Sequence, residues 1–460
     1  MEHTMHYDNI GRPTHHRVCH NGQTLYDKSY TGGGNLRLLR TFDTINGRSV
    51  RYDYDTFGSL SGAVYGDGSC QWRNPDAMGN VYDSPDRTDR SYGRGGQLRE
   101  DKKWRYYYDS HGNLVLKTMR RMEPLRNVEA RDEFFVWQNV DYAYTWQGNG
   151  MLRSVIQPDG KTVTFRYDAL GRRIEKVFDG RVYRYLWDGD VILHEWDYAE
   201  SDRPNTIVTE TGEVTLDKPE PVENLITRVY DSDSYVPTAK IVGDKHYSIV
   251  SDYIGRPVQA YDDNGNVVWQ ADYDIYGNVR NLHGSRKFIP FRQLGQYEDE
   301  ETGLYYNRFR YYDPNTGSYI SQDPIGLAGN NPTLYAFVKK LNTEVDIFGL
   351  SATHEHHSDP KFMGGDPKQV LTNMESTDHI DLHRDMNVFL ESKTKVINEE
   401  TVSMRPKRGN SGKVIRQNFT RQERLDVLAK FYLQNTDKYP EASADFFSQH
   451  PQLQKKSCKS

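Results

Sequence analysis

A short corner recurs through the first 280 residues: YDNIGRP (7–13), YDTFGSL (54–60), YDSHGNL (108–114), YDALGRR (167–173), DYIGRPV (252–258), YDDNGNVV (261–268) and YDIYGNV (273–279). One Tyr-Asp-x-x-Gly is an ordinary turn, but seven copies make a repeat, and a repeat dictates architecture. Gly255, Gly265 and Gly277 lie 10 and 12 residues apart, the spacing of successive hairpin strands joined through a left-handed residue. The tyrosine then packs on the neighbouring strand while the aspartate or asparagine satisfies the turn backbone. The pattern predicts an extended, all-β array of antiparallel hairpins. The stretch SDRPNTIVTETGEVTLDKPEPVENL (201–225) breaks the rhythm with proline and acidic residues and reads as an insertion or exposed loop.

Hydrophobic content of 36% is low, yet 33 Tyr and 7 Trp supply half-buried strand surface and argue against disorder. A chain of 460 residues has room for two to four domains of about 150 residues each. The formal charge of -6 excludes a protein that coats nucleic acid generally, though not a local basic surface. Cys19, Cys70 and Cys458 are too scattered for a disulfide framework or a metal knuckle, which suits synthesis in the cytoplasm. No run approaches 18 apolar residues, so no membrane span is expected. The start MEHTMHYDNIGRP lacks a basic region followed by an apolar one, so export is expected to use something other than a signal peptide.

Composition changes at Leu350. Residues 351–460 hold 2 of the 33 Tyr, 4 of the 37 Gly and no Trp, and carry 17 Lys+Arg against 15 Asp+Glu. The remaining 350 residues carry 42 against 50, so the charge changes sign at the same place.

The Tyr-Asp corners, with QLGQYEDEETGLYYNRFRYYDPNTGSYISQDPIGLAGNNPTLYAFV (293–338), closely resemble the RHS (YD-repeat) core and its associated C-terminal domain. The resemblance implies a β-shell segment over 1–285, a self-cleaving associated domain over 286–350 and a variable toxin over 351–460. Two related motifs, Asp323-Pro-Ile-Gly-Leu327 and Asp346-Ile-Phe-Gly-Leu350, are separated by 18 residues. In the family this pair marks an aspartyl self-protease that cuts after the second leucine, between Leu350 and Ser351 here. Two carboxylates at one peptide bond can divide the work, one as base on water and one as acid on the carbonyl. Asp323 and Asp346 are those groups on this reading, although each alone reads as a turn cap. Ile347 stands where the family has proline.

Directly after the boundary comes His354-Glu355-His356-His357, followed by PKFMGGDP (360–367) and then His379 and His383. Leu382, Met386 and Phe389 form an apolar stripe at helical spacing, so 376–390 is predicted helical, with both histidines on one face a turn apart. Ser376 or Thr377 is its N-cap. Imidazoles so placed suit a divalent metal, Zn²⁺ or Mg²⁺, with an open position where the site is catalytic. Double histidine, glycine-rich loop and His-x-x-x-His helix together resemble the HNH/endonuclease VII superfamily of toxin nucleases. That resemblance implies a small α+β domain with a ββα-metal unit, in which His356, His379 and His383 hold the metal and His357 is the general base. Glu355 is either an outer partner of a ligand imidazole or a ligand itself. The asparagine that orients the base loop in the family has no direct counterpart, and Gln369 or Asn373 takes its place.

Arg405, Lys407, Arg408, Lys413 and Arg416 fall in RPKRGNSGKVIR, a segment without apolar periodicity that reads as a loop suited to phosphate contact, or simply as a solvated loop. Thr420-Arg-Gln-Glu423 is a capping box, with Leu425, Leu428 and Tyr432 as core. The resulting expectation is a multidomain RHS-type toxin that frees a metal-dependent DNA endonuclease inside competing bacteria. By resemblance its partners are DNA, a cognate immunity protein and a secretion-machine spike or adaptor, and it acts in the target-cell cytoplasm. The alternatives are a structural or adhesive YD-repeat protein with a structural zinc tail, and a toxin that acts on RNA.

Overall fold

Each Tyr-Asp-x-x-Gly corner from residue 54 onward becomes the bend between two antiparallel strands. At Asp252, Asp262 and Asp274 the main-chain carbonyl accepts the amide of the glycine three residues on, at 3.0, 3.0 and 3.1 Å. The carboxylate accepts further amides, as Asp274 Oδ1 does from Tyr276 (2.8 Å) and Asn278 (2.9 Å). Gly255, Gly265 and Gly277 take φ of +82°, +82° and +86°, where a side chain costs about 1–2 kcal/mol. The motif tyrosine donates to a carbonyl of the preceding strand: Tyr54 to Leu38 (2.8 Å), Tyr167 to Leu152 (2.8 Å) and Tyr273 to Pro257 (2.6 Å).

The computed structural model describes residues 2–8, 12–33, 37–120, 137–231, 234–329, 333–338, 341–350, 353–356, 363, 372–397, 400–404 and 411–454. For 328–329, 353–356, 372–381, 383, 397, 400, 411–414 and 454 it describes the backbone alone. Two units separate at Met1–Leu350 and Ser351–Ser460.

In the first unit the strands follow one another in chain order. Seven of them, from Glu2 to Trp72, form one antiparallel sheet, and sixteen, from Ser91 to His283, form another. Val18 and Tyr26 of the first sheet pack on Val250, Val258 and Tyr261 of the second. Strands Val191–Ala199 and Glu223–Tyr230 pair directly, so the segment between them is an insertion, as its sequence suggests. It is not a plain loop, however: Thr206–Val208 and Val214–Leu216 pair as a separate small hairpin.

A four-stranded sheet (Tyr297–Asp299, Leu304–Asn307, Arg310–Asp313, Ser318–Tyr319) packs on one face of the large sheet. Leu304, Tyr306, Tyr311 and Ile320 share a core with Leu98, Leu114, Leu152 and Val163. Buried ion pairs set its register on that face: Arg173–Asp299 at 2.5 Å, Lys117–Asp313 at 3.0 Å and Lys176–Glu301 at 3.0 Å. The segment also reaches the corners at one end of the array, where a Cβ on Gly112 would strike Gln322 and Tyr335, one on Gly171 would strike Phe309 and one on Gly255 would strike Leu294.

In the second unit, Thr353–His356 pairs antiparallel with Thr372–Glu375, and helix Ser376–Glu391 follows at once and packs on both strands. The hairpin Thr394–Ile397/Glu400–Ser403 and helices Ser411–Asn418, Arg421–Gln434, Pro440–Gln449 and Pro451–Gln454 complete it. Leu382, Met386, Leu390, Leu428, Tyr432 and Phe446 are its core, and Thr420 and Glu423 form the capping box. One expectation is corrected: Lys413 and Arg416 stand on helix Ser411–Asn418, not on a loop. Ile415 and Phe419, four residues apart, enter the core, and two anchors in so short a segment are too few to stand out as periodicity.

Candidate functional site at the Leu350 boundary

The two Asp-x-x-Gly-Leu motifs converge on one buried arginine. Arg310 opens the strand Arg310–Asp313 and lies in the buried core. Its Nη2 stands 2.9 Å from Asp323 Oδ2 and 3.3 Å from Asp346 Oδ2. Its Nε donates to the carbonyl oxygen of Gly349, and the guanidinium carbon lies 3.7 Å from the centroid of the Tyr319 ring. One cation is thus spread over two carboxylates, a carbonyl and an aromatic face.

Asp346 is held on every side. Its Oδ2 accepts from the Tyr319 hydroxyl (2.8 Å), its Oδ1 accepts the amide of Leu350 (3.0 Å), and its main-chain oxygen accepts from Asn307 Nδ2 (2.7 Å). The Leu350 residue that bears the expected scissile carbonyl is therefore tied to a carboxylate four residues before it. Phe309 donates its amide to Phe348 (3.1 Å). Gly349, at φ +67°, lies so close that a Cβ would overlap the carbonyl oxygen of Asn307. Ile347, in the usual proline position, is buried with its backbone against Gly295.

Asp323 differs from Asp346. Its Oδ1 accepts the amide of Ile325 (3.0 Å), while its buried Oδ2 makes no hydrogen bond among the described residues although Arg310 is near. Burial pushes its carboxyl up to about 6; Arg310 pulls the other way, and the negative charge of Asp346 adds to the rise. Burial prevails because the arginine is shared. The pair that the sequence suggests is thus brought together, but as carboxylates bridged by a guanidinium. Arg310, Tyr319 and Asn307 are absent from the sequence expectation. Each belongs to an Arg- and Tyr-rich strand pattern, YYNRFRYYD (305–313) and GSYI (317–320), that reads as packing, and only the fold shows them facing the boundary. Ser351 lies outside the described residues.

In the second unit His356 and Glu355 stand on the first strand, with Thr372 and Asn373 as their register partners. His379 and His383 stand one turn apart on the helix that packs on this strand pair. This order of strand, strand and helix, with imidazole on the first and third elements, fits a divalent cation by donor chemistry. The side chains of these four residues are not described, and His357, Gln369, Arg405, Lys407 and Arg408 lie outside the described residues altogether. Arg416 is exposed on its helix.

Among curated proteins, the chain is 32% identical over 358 residues to double-stranded DNA deaminase toxin A of Burkholderia cenocepacia, covering 72% of this chain and 23% of that protein. It is 32% identical over 267 residues to the probable deoxyribonuclease RhsB of Dickeya dadantii (56% and 16% covered). It is 32% identical over 379 residues to the toxin protein Tse5 of Pseudomonas aeruginosa (71% and 27% covered). The chain spans about a quarter or less of the length of these relatives. The family model described as Teneurin YD-shell matches residues 1–342, and the chain therefore belongs to the teneurin YD-shell family.

Proposed function

We propose that the chain is part of an RHS-type toxin that cuts itself after Leu350 and frees residues 351–460 as a metal-dependent endonuclease. The observation that carries the cleavage reading is the convergence of Asp323, Asp346 and Arg310 on the segment that ends at Leu350. Asp346, accepting from Tyr319, Leu350 and Arg310, serves as base. It takes a proton from water, whose oxygen adds to the Leu350 carbonyl carbon. Asp323, raised toward neutrality by burial, gives its proton to the carbonyl oxygen. The bond to the Ser351 nitrogen then breaks as Asp346 gives that nitrogen the proton it took from water, and Asp323 takes a proton back from the hydroxyl that becomes the new carboxyl's carbonyl oxygen. Residues 286–350 act as the cleaving segment on this reading.

Support for the nuclease reading comes from the strand-strand-helix backbone that presents His356, His379 and His383, and from relatives named as toxins, a deaminase and a deoxyribonuclease. A divalent ion held there would supply charge stabilisation at the phosphate. His357, next to His356 in the chain, is the group that takes the proton from water, since imidazole titrates near neutrality. Lys413 and Arg416, with Arg405, Lys407 and Arg408, supply phosphate contacts. DNA is the substrate, a cognate immunity protein and a delivery spike or adaptor are the partners, and the target-cell cytoplasm is the site of action.

The test has two parts. The full chain, expressed in cells, is expected to run on a denaturing gel as fragments of about 350 and 110 residues, and an intact band would refute cleavage. The same preparation is expected to nick plasmid DNA unless chelator is added, and the His357→Ala protein is expected to be inert with its metal still bound. Cutting of RNA alone would replace the substrate, and equal activity with chelator would refute the metal.

A further inference from the structure

The structure carries a second surface, far in the sequence from the boundary. We propose that the hairpin Thr206–Leu216 is a docking edge for a basic, strand-forming segment of a partner protein.

Residues 200–222 are inserted between two strands already paired at Asp197 and Glu223, where a two- to five-residue turn would suffice. The insertion is anchored firmly. Arg203 Nη1 binds Glu175 at 2.9 Å, and Glu220 Oε1 pairs in charge with Arg184, 2.9 Å from its Nε, and accepts from the Tyr198 hydroxyl at 2.7 Å. Asn205 and Asp217 close its base through an amide and a side chain, both at 2.9 Å. Glu175 and Arg184 are register partners, so the anchors lie on one face of the large sheet. Leu186, two residues beyond Arg184, shares that face and is exposed. Leu225 and Val229 share it through the register Leu186–His194–Thr227 and are also exposed.

Against this base, the hairpin itself buries nothing. All six strand residues are exposed, with Val208 and Val214 each 68% accessible. A two-stranded hairpin alone is marginal in water, and natural edges are usually blunted by lysine or proline. Thr206–Val208 and Val214–Leu216 contain neither. Asp217 donates its amide to Asn205 (3.0 Å), and Thr209 donates its amide to Glu213 (2.9 Å). By the alternation of antiparallel pairs, Thr206, Val208, Val214 and Leu216 therefore turn their amides away from each other's strand. Two open edges with apolar, β-branched side chains are the template for strand addition.

Charge selects the occupant. Residues 200–223 hold seven acidic and two basic residues. A second copy of the hairpin would set like charge against like charge, whereas a lysine- or arginine-flanked strand is attracted.

The test uses the full chain and a 12-residue probe peptide of alternating valine and threonine with two lysines at each end, beside its glutamate-ended counterpart, read by fluorescence anisotropy. The lysine peptide is expected to bind and the glutamate peptide not. Val208→Pro and Leu216→Pro combined, which remove an outward amide from each of the two edges, are expected to weaken binding at least tenfold. Equal binding of the two peptides, no binding of the lysine peptide, or a double-proline variant that binds like the parent would overturn the proposal. As a second measurement, residues 200–222 are replaced by Asn-Gly. An unchanged melting temperature with binding lost is expected, whereas loss of the fold would show the hairpin to be structural and overturn the proposal.

Discussion

Gly349→Ala separates a site that depends on close docking from a pair of independent turns. Gly326 and Gly349 hold the same place in the two motifs and both take positive φ, +64° and +67°. Around Gly326 a Cβ meets nothing, whereas at Gly349 it overlaps the carbonyl oxygen of Asn307 and crowds Arg310. Gly326→Ala therefore carries only the left-handed penalty, about 1–2 kcal/mol, or roughly fivefold to thirtyfold in the docked population. Gly349→Ala carries the same penalty and must also lift the 346–350 segment. That breaks the bond from Arg310 to Gly349, from Phe309 to Phe348 and from Leu350 to Asp346, at about 1 kcal/mol each or more where one partner is charged. The sum is about 4 kcal/mol or more, near a thousandfold in the population that holds Leu350 in place. The assay is a time course of the 460-residue chain on a denaturing gel after refolding. Equal slowing by the two substitutions would refute the docking argument, since it would show that backbone strain alone sets the rate.

Three further outcomes follow from buried groups. Asp323 holds its proton to about pH 6 in the folded chain, against an ordinary value of 3.8. The native state thus binds more protons between these values, and stability present below about pH 4 declines as pH rises to 6, by up to about 3 kcal/mol. Asp323→Asn should remove that slope in urea melts taken across the window, and a slope that persists would reassign it. Lys117→Met leaves Asp313 buried without its cation and should cost about 3–5 kcal/mol, read as a lower melting temperature of the first unit. Thr420→Ala removes the capping box and should cost about 1 kcal/mol, seen as a lower urea midpoint for the helical signal of the second unit.

The array was legible because its information is local. Asp252, Asp262 and Asp274 each satisfy their own turn, and Gly255, Gly265 and Gly277 each supply the positive φ that this turn needs. The same holds for helix Ser376–Glu391, whose Leu382 and Met386 state their face in the sequence. The boundary site was legible by half. Asp323 and Asp346 sit in a recognisable motif pair, whereas Arg310 and Tyr319 acquire meaning from a hairpin that folds back over 346–350, and no short-range pattern encodes that return. Arg416 and Lys413 were misplaced for a related reason: a helix of eight residues with one core anchor, Ile415, and a second just past its end, Phe419, is too brief to declare a period. The insertion at 201–225 announced itself by proline and acid, but its pairing depended on which of its short runs face each other.

The four-stranded sheet and the residues up to 338 that follow it constrain the order of events during synthesis. Their contacts join residues far apart in the chain: Asp299 to Arg173, Asp313 to Lys117, Tyr335 to Gly112 at 2.6 Å and Val338 to Arg73 at 2.9 Å. Contacts of such long sequence separation form late, since loop closure must precede them, and a chain emerging from the ribosome completes its hairpins before its ends can meet. Arg310 cannot face both carboxylates until residues 346–350 have left the exit tunnel and lain down on a finished sheet. Assembly of the array therefore sets the order, and the guanidinium meets its two carboxylates only after the strands it rests on have been built.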